Sequence, residues 1–229
     1  MKTFKALSAL LSYPGEDLIA ALPQVEQVLQ SEGLLGPRRM DEIRSLLQKL
    51  GQGDLYDLQE RYVLLFDRSR SLSLNLFEHV HGESRDRGGA MVDLLETYRD
   101  GGFDLAGSEL PDHLPVLLEY LSTRPLPEAL ALLADASHIL VALAERLTRR
   151  ESAYAAVLGA LVALVVTEPV ELPEELAAVP DDNPEDLAAL DAVWEEAQVT
   201  FGPDPNAGCP VSRDILARMD APRAQSPAQ

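Results

Sequence analysis

The chain has 229 residues, 38 of them acidic and 19 basic, which gives a formal net charge of −19 at pH 7. This charge repels nucleic acid and anionic lipid surfaces, so it argues against both as partners and favours a basic or amphipathic partner segment. The length suits one domain with a well-buried core. The one cysteine, Cys209, excludes an internal disulfide and a multi-cysteine zinc site, in keeping with a cytoplasmic location.

Four helices are predicted in the N-terminal part, because apolar residues recur there at intervals of three and four. The first helix stops before Pro14, the third ends at Gly51, and the fourth begins near Asp54. Ser8 and Ser12 interrupt the apolar face of the first helix, so we interpret it as structure and not as a signal peptide. The residues predicted to face the core are Phe4, Leu7, Leu11, Leu18, Leu22, Val25, Leu29, Ile43, Leu46, Leu47, Leu50, Leu55, Leu58, Tyr62, Leu65 and Phe66.

The run from Tyr62 to Leu95 interrupts this order. Its interior follows neither the helical nor the strand period, and it holds two of the four histidines, His79 and His81. Arginine, aspartate and glutamate cluster in its second half. An irregular segment of this composition is either anchored to the fold or binds a partner. It also carries an apolar string that a surface loop would not normally have, formed by Leu72, Leu74, Leu76 and Phe77.

Helical patterns resume beyond the central run. Ser84 can cap a fifth helix that reaches Arg99, and Asp112 can cap a sixth helix that has Pro115 in its first turn. One long helix is predicted after Pro127, with apolar residues at helical spacing as far as its last turn.

An apolar core helix follows from Ala153, too short to span a bilayer, and a final helix is predicted over residues 184–201. The sequence beyond is dominated by proline, alanine, serine and aspartate, and no alternating strand pattern occurs. We therefore predict an all-α fold without a membrane segment. It consists of a single compact domain of about eight to ten helices over residues 1–201 and a flexible tail over residues 202–229.

The sequence carries no motif typical of catalysis. It has no nucleophile elbow, no phosphate-binding glycine loop and no dinucleotide fingerprint. His79 and His81 would point to opposite sides of a helix, and no third metal ligand is suggested by spacing. Cys209 lies in the predicted tail, where nothing would hold a base beside it. The carboxylates of the central run are interleaved with arginines, which indicates ion pairs more simply than acid–base chemistry.

The central run resembles the signature of a known family. The stretch LFDRSRSLSLNLFEHVHGESRDRGGAMVDLL is similar, almost without gaps, to the nitrate reductase molybdenum cofactor assembly chaperones, the NarJ or delta-subunit family. The similarity continues through ELPDHLPVLLEYL and so covers residues 56–121. In the wider superfamily of molybdoenzyme chaperones, an aromatic-x-x-Leu-Phe motif corresponds to Tyr62, Leu65 and Phe66. A Glu-Pro-x-Asp-His motif corresponds, with Leu110 inserted, to Glu109, Pro111, Asp112 and His113.

This resemblance implies a cytoplasmic, all-helical chaperone that is not an enzyme and has no cofactor of its own. Such a chaperone binds the immature catalytic subunit of respiratory nitrate reductase, partly through the N-terminal segment of that subunit. It keeps the subunit competent for insertion of the molybdenum cofactor and delays its docking to the membrane. It is absent from the final enzyme. Contact with the proteins that deliver the molybdenum cofactor is left open.

A partner segment of this kind needs a groove between helices, with apolar anchors inside and negative charge around its rim. We expect the groove beside the central run. The residues predicted to contact the client are Tyr62, Leu65, Phe66, Leu72, Leu76, Phe77, Glu78, His79, Glu109, Asp112 and His113. Those predicted to anchor the loop are Glu83, Ser84, Arg85, Asp86 and Arg87.

Three alternatives stand beside this hypothesis: a chaperone of the same fold that serves another molybdoenzyme, a structural subunit of the membrane complex, and a metal-dependent helical enzyme that uses His79 and His81.

Overall fold

A computed structural model describes residues 1–81, 85–107, 109–166, 172, 173 and 176. The chain divides into two compact units, Met1–Leu187 and Ala188–Gln229, and the described residues belong to the first. They form ten α-helices and no β-strand, which confirms the predicted all-α class for this part of the chain. The predicted helix over 184–201, the domain boundary at 201 and the tail lie outside the described residues.

Most of the helices follow one another with short connections, and the longer ones are residues 63–75 between α4 and α5 and residues 101–113 between α6 and α7. Their bounds are α1 Lys2–Leu10, α2 Glu16–Glu32, α3 Pro37–Gln52, α4 Leu55–Tyr62, α5 Leu76–His81, α6 Arg85–Asp100, α7 Leu114–Ser122, α8 Leu126–Asp135, α9 Ser137–Arg149 and α10 Ala155–Val165. Two short turns separate α4 from α5. They are a π-helical turn, Val63–Asp67, and a 3-10 turn, Arg70–Leu72.

Local sequence explains several helix ends. The Asp54 carboxylate caps α4 by accepting hydrogen bonds from the backbone N–H groups of Tyr56 and Asp57, at 2.9 and 3.4 Å. Pro37 stands in the first turn of α3, where its missing N–H costs nothing. Gly33 ends α2 in the left-handed conformation, with a φ of 63° that a residue with a Cβ adopts only with strain.

A carboxylate at the end of α2 ties that helix to the start of α1. Glu32 accepts hydrogen bonds from the backbone N–H groups of Lys2 and Thr3, at 2.8 and 2.7 Å, and from the Thr3 hydroxyl at 2.7 Å. Burial raises the pKa of Glu32, but these hydrogen bonds outweigh it, so the net effect is a pKa below the ordinary value. Glu32 thus caps α1 from a neighbouring helix, since the first N–H groups of a helix have no internal partner.

The core is one continuous apolar cluster. In it α1 packs against α2 and α7, and α10 packs against α3, α8 and α9. The contact between α1 and α7 is reinforced by the buried Ser8 hydroxyl, which donates to the Pro115 carbonyl oxygen at 2.7 Å. The α10 helix is apolar on nearly every side because several helices surround it, as its residue pattern predicts.

The prediction of one long helix after Pro127 is wrong. The structure has two helices, α8 and α9, which meet at Ala136 with a bend of 70°. Leu133 of α8 and Leu140 of α9 are both fully buried, and the bend turns the apolar faces of both helices toward the core. Sequence periodicity does not mark the break, because the apolar spacing continues across it.

Among the residues that the structure describes, no single helix is long and apolar enough to cross a membrane. The bent pair of α8 and α9 meets the length and composition test when its two helices are counted together.

Candidate binding groove

The part of the central run before Ser84 was predicted to be irregular, but it contains the π-helical turn, the 3-10 turn and α5, whereas α6 is the helix predicted to follow Ser84. The π-helical turn continues α4, and α5 and α6 occupy most of the remainder. Residues 68, 69 and 73–75 are outside helices, and residues 82–84 are outside the described residues. The 3-10 turn and α5 are short, and their hydrogen bonds depend on tertiary packing. No repeating apolar pattern therefore predicts them.

A small antiparallel bridge anchors this segment to the start of α7. The Leu76 N–H donates to the Asp112 carbonyl oxygen at 3.0 Å, and the Leu114 N–H donates to the Leu74 carbonyl oxygen at 2.8 Å. These bonds place Asn75 opposite His113. The motif around Asp112 is therefore part of the support of the central segment.

Asp112 does not cap α7, contrary to the prediction. His113 occupies the N-cap position of α7 without a side-chain cap. The fully buried Asp112 carboxylate instead accepts the Phe77 backbone N–H, at 3.0 Å, in the first turn of α5. Burial raises the pKa of Asp112, and the hydrogen bond from Phe77 and the nearby Arg87 oppose that rise. The sequence identifies Asp112 as a capping residue. The tertiary structure determines that it caps α5 and not α7.

Further polar contacts hold the segment in place. His79 Nε2 lies 2.8 Å from the Ser73 carbonyl oxygen, and the Arg146 guanidinium donates to the Ser71 carbonyl oxygen at 2.7 Å. Burial lowers the pKa of His79, so the ring is neutral at pH 7 and Nε2 is the donor. Glu78 forms an ion pair with Arg87 at 3.0 Å.

The apolar residues predicted to contact a client lie mostly in the core. Leu65, Phe66, Leu72 and Leu76 have exposed fractions of 8, 5, 0 and 4 %. Phe66 contacts the rings of Tyr62 and Tyr154, with centroid distances of 5.0 and 5.2 Å. Direct contact of these side chains with a client stays a prediction, and in this structure they offer it almost no surface.

An open groove of about 820 Å³ lies beside the anchored segment, between α1, α2 and α7. Small and apolar side chains form much of its lining, and Tyr62, Glu109 and His113 from the predicted client contacts take part. Its remaining lining residues are Lys5, Ser8, Ala9, Ser12, Tyr13, Asp17, Leu18, Ala21, Val25, Asp67, Pro115, Val116 and Glu119. The volume corresponds to roughly two turns of an α-helix about 10 Å across.

Carboxylates dominate the charge of the groove. Asp17, Asp67, Glu109 and Glu119 line it, against one lysine, Lys5, which lies 3.7 Å from Glu119. A groove that combines apolar lining with this excess of negative charge is suited to a segment that is apolar on one side and carries positive charge.

His113 and its neighbours form one wall of the groove. His113 Nδ1 lies 3.6 Å from the Glu109 carboxylate. Burial lowers the pKa of His113, although Glu109, Asp112 and Asp67 oppose this shift. Burial also raises the pKa of Asp67, while His113 acts in the opposite sense. The ring of His113 is thus neutral at pH 7, and it does not cancel the charge of the nearby carboxylates.

Tyr62 connects the groove to the core. Its hydroxyl donates to the Leu11 carbonyl oxygen at 2.8 Å, and burial raises its pKa well above the ordinary value. The ring contacts Tyr13 edge-on, with a centroid distance of 5.6 Å. Tyr62 therefore fixes the end of α1 and orients the exposed Tyr13 at the mouth of the groove.

The structure separates the predicted site residues into two groups. Tyr62, Glu109 and His113 meet at the groove, whereas Phe77, Glu78, His79 and Asp112 belong to the supporting network. Of the predicted loop anchors, Arg87 pairs with Glu78, Asp86 is exposed, and the Glu83, Ser84 and Arg85 side chains are outside the described residues.

Sequence reasoning missed the contribution of α1 and α2 to the groove. The available signal was the small residues Ser8, Ala9 and Ser12 on α1 and its following turn, together with Ala21 on α2. Small side chains on facing helices leave a groove when no bulky neighbour fills the space.

No group of three or more histidine, cysteine, aspartate or glutamate side chains suited to a metal ion occurs among the described residues. His79 is engaged with the Ser73 backbone instead.

Comparison with known proteins assigns the class. Residues 35–159 match the family described as nitrate reductase delta subunit. The chain therefore belongs to this family of helical assembly chaperones, which are not enzymes.

Three relatives show which individual chaperones the chain is similar to. The chain is 43 % identical over 205 residues to the nitrate reductase molybdenum cofactor assembly chaperone NarJ of Escherichia coli K12, covering 88 % of this chain and 86 % of the relative. It is 39 % identical over 217 residues to the probable chaperone NarW of the same organism, covering 91 and 87 %. The probable NarJ of Bacillus subtilis is 34 % identical over 164 residues, covering 70 and 86 %.

Proposed function

We propose that this protein binds the immature catalytic subunit of respiratory nitrate reductase through the groove between α1, α2 and α7. The N-terminal segment of that subunit would lie in the groove as a short amphipathic helix. Binding would keep the subunit competent for molybdenum cofactor insertion in the cytoplasm and would delay its docking to the membrane. Contact with cofactor delivery proteins stays a prediction.

The observation that carries this proposal is the coincidence of an apolar lining and an acidic rim in one open groove. Ala9, Tyr13 and Leu18 provide accessible apolar surface, while the carboxylates attract basic side chains and disfavour acidic ones. The names of the relatives support the choice of nitrate reductase as the enzyme served.

Calorimetric titration of a synthetic peptide of the catalytic subunit's N-terminal segment tests the proposal. Ala21→Arg places a long cation inside the groove and is expected to weaken binding at least about tenfold, or about 1.4 kcal/mol. Ala20→Arg is the matched control, since Ala20 is exposed on the same helix and does not line the groove. The proposal fails if the wild-type protein does not bind the peptide, or if the two variants bind it equally well.

A second experiment tests the role of charge. Replacing Asp67 and Glu109 by their amides removes two carboxylates from the groove wall without changing its shape. The affinity of the wild type should fall with added salt, and this salt dependence should be smaller in the double variant. Equal salt dependence in both proteins would show that the acidic wall takes no part in binding.

A further inference from the structure

A second, smaller hollow lies next to the groove and shares Tyr13 with it. It measures about 310 Å³, and its other lining residues are Tyr56, Gln59, Glu60, Val63, Leu64 and Arg68. The exposed fractions of Tyr13 and Tyr56 are 52 and 79 %, high values for large aromatic side chains. Two exposed rings at one hollow are typical of an interaction surface, because aromatic residues supply much of the energy of protein interfaces.

The hollow is held in shape by the fold. The Gln59 amide donates to the Pro14 carbonyl oxygen at 2.9 Å, which ties α4 to the turn that carries Tyr13. The π-helical turn forms its floor, and the Arg68 N–H closes that turn on the Val63 carbonyl oxygen at 2.9 Å. This wider turn leaves Val63 and Leu64 partly exposed, and π-helical turns are frequent at functional sites.

The polar groups of the hollow suit a peptide backbone. Arg68 and Glu60 form no ion pair with any residue that the structure describes, although both lie at the hollow. The guanidinium can donate to a backbone carbonyl oxygen, and the carboxylate can accept from a backbone N–H. One donor and one acceptor beside two aromatic rings therefore fit a segment in extended conformation.

Size decides what can enter. One turn of an α-helix about 10 Å across fills roughly 420 Å³, so a volume of about 310 Å³ does not hold a further helical turn. It is large enough for one bulky side chain and its backbone.

We propose that the client segment continues past Tyr13 and leaves the groove in extended form. It then places one aromatic or long aliphatic side chain between Tyr13 and Tyr56, with Arg68 and Glu60 bonding to its backbone. This inference rests on the proposed function, because the segment in the hollow is a continuation of the segment in the groove. Tyr13 lines both the groove and the hollow, and this shared residue favours one occupant for both.

Two peptides test this inference. A truncation series of the catalytic subunit's N-terminal segment, shortened from either end, defines the long peptide and the shortest peptide that still binds the wild-type protein. Tyr56→Ala is expected to weaken binding of the long peptide about 5- to 30-fold and to leave the short peptide unaffected. Tyr56→Phe keeps the ring and should bind both peptides as the wild type does. Because the Tyr56 side chain is largely exposed, neither variant should unfold the protein.

The outcomes distinguish the two proposals. If Tyr56→Ala does not affect the long peptide, or weakens both peptides equally, while Ala21→Arg still weakens both, the hollow proposal is wrong and the groove proposal stands. If the wild type binds no peptide of the truncation series, both proposals are wrong. Val92→Ala, at a side chain that is 55 % exposed and lines neither site, should not change either affinity.

Discussion

The central segment, residues 69–80, and the groove meet at His113 but are built in opposite ways. The leucines of the segment are buried, and the segment is fixed by hydrogen bonds that His79 and Arg146 donate and that the Asp112 carboxylate accepts. The groove is open, and its lining combines small residues, apolar residues and carboxylates. Residues 69–80 of the family signature thus form a support, whereas less distinctive sequence in α1 and α2 contributes to the open groove.

Under the proposed function, the family signature does not mark the contact surface. A buried network tolerates few substitutions because each side chain must satisfy both packing and hydrogen bonding. A groove that binds an amphipathic helix needs space, apolar area and net charge, which many sequences provide. Variants in the segment should therefore change stability, and variants in the groove should change binding.

Leu72→Ala should have the largest effect on stability. Leu72 is fully buried in the central segment, so removing its methyl groups leaves a cavity and should lower the free energy of unfolding by about 2–5 kcal/mol. Urea denaturation measures this change. Leu72→Met is the control, because it nearly preserves volume and should cost less than about 1.5 kcal/mol. An alanine variant as stable as the wild type would contradict the structural role of the segment.

Asp112→Ala should lower the free energy of unfolding by about 1–3 kcal/mol, because it leaves the Phe77 N–H without its acceptor. Asp112→Asn keeps an oxygen at that position and should be closer to the wild type. Urea denaturation of the three proteins provides the test. If the alanine and asparagine variants are equally stable, the hydrogen bond to Phe77 is not what makes Asp112 important.

His79 should make stability depend on pH. Its pKa is lowered in the folded state by burial, from an ordinary value of 6.5, so the unfolded chain takes up a proton first as the pH falls. Its contribution is complete above pH 6.5 and is lost as the pH falls through the folded-state pKa. His79→Gln keeps a donor near the Ser73 carbonyl oxygen and does not titrate.

Urea denaturation at about pH 8 and about pH 5.5 compares the two proteins. The wild type should lose more stability than His79→Gln over this interval, by up to about 1 kcal/mol. Burial raises the pKa values of Asp67 and Asp112, which favours stability as the pH falls. The difference between the wild type and the variant therefore isolates His79. A parallel loss in both proteins would contradict a neutral, buried His79.

Of these variants, Glu109→Gln should have the smallest effect on stability. It tests whether the groove and the central segment have separate roles. The Glu109 side chain is 62 % exposed, so its replacement should change the free energy of unfolding by no more than about 0.5 kcal/mol. Its charge faces the groove, and the affinity for the client peptide should fall severalfold at low salt. A variant that loses stability but keeps its affinity would place Glu109 with the supporting network and not with the groove.

Most of the helices could be predicted from the sequence because they are amphipathic and local signals end them. Pro14, Gly33, Pro37 and Asp54 act on the backbone within one turn, so their effect does not depend on distant residues. The exceptions were α5, which was not predicted, and the break between α8 and α9, where apolar spacing continues through a bend.

Much of the site could not be predicted, because its residues are assembled from distant parts of the chain. Ser8, Ala21, Asp67 and His113 line one groove only when α1, α2 and α7 pack together. Equally, the sequence marked Asp112 as a capping residue but could not show that it caps α5, which precedes it by more than thirty residues. Hydrogen bonds between distant residues leave no periodic trace.

The sequence by itself determined the helical class, most helix positions, the acidic character and, through the central signature, the resemblance to the nitrate reductase delta-subunit family. These properties depend on composition, local spacing and contiguous residues. Only the tertiary structure decided which polar residues support the fold and which face an open surface. That distinction depends on burial and long-range contacts. They show that the central segment supports the fold and that the open groove lies between α1, α2 and α7.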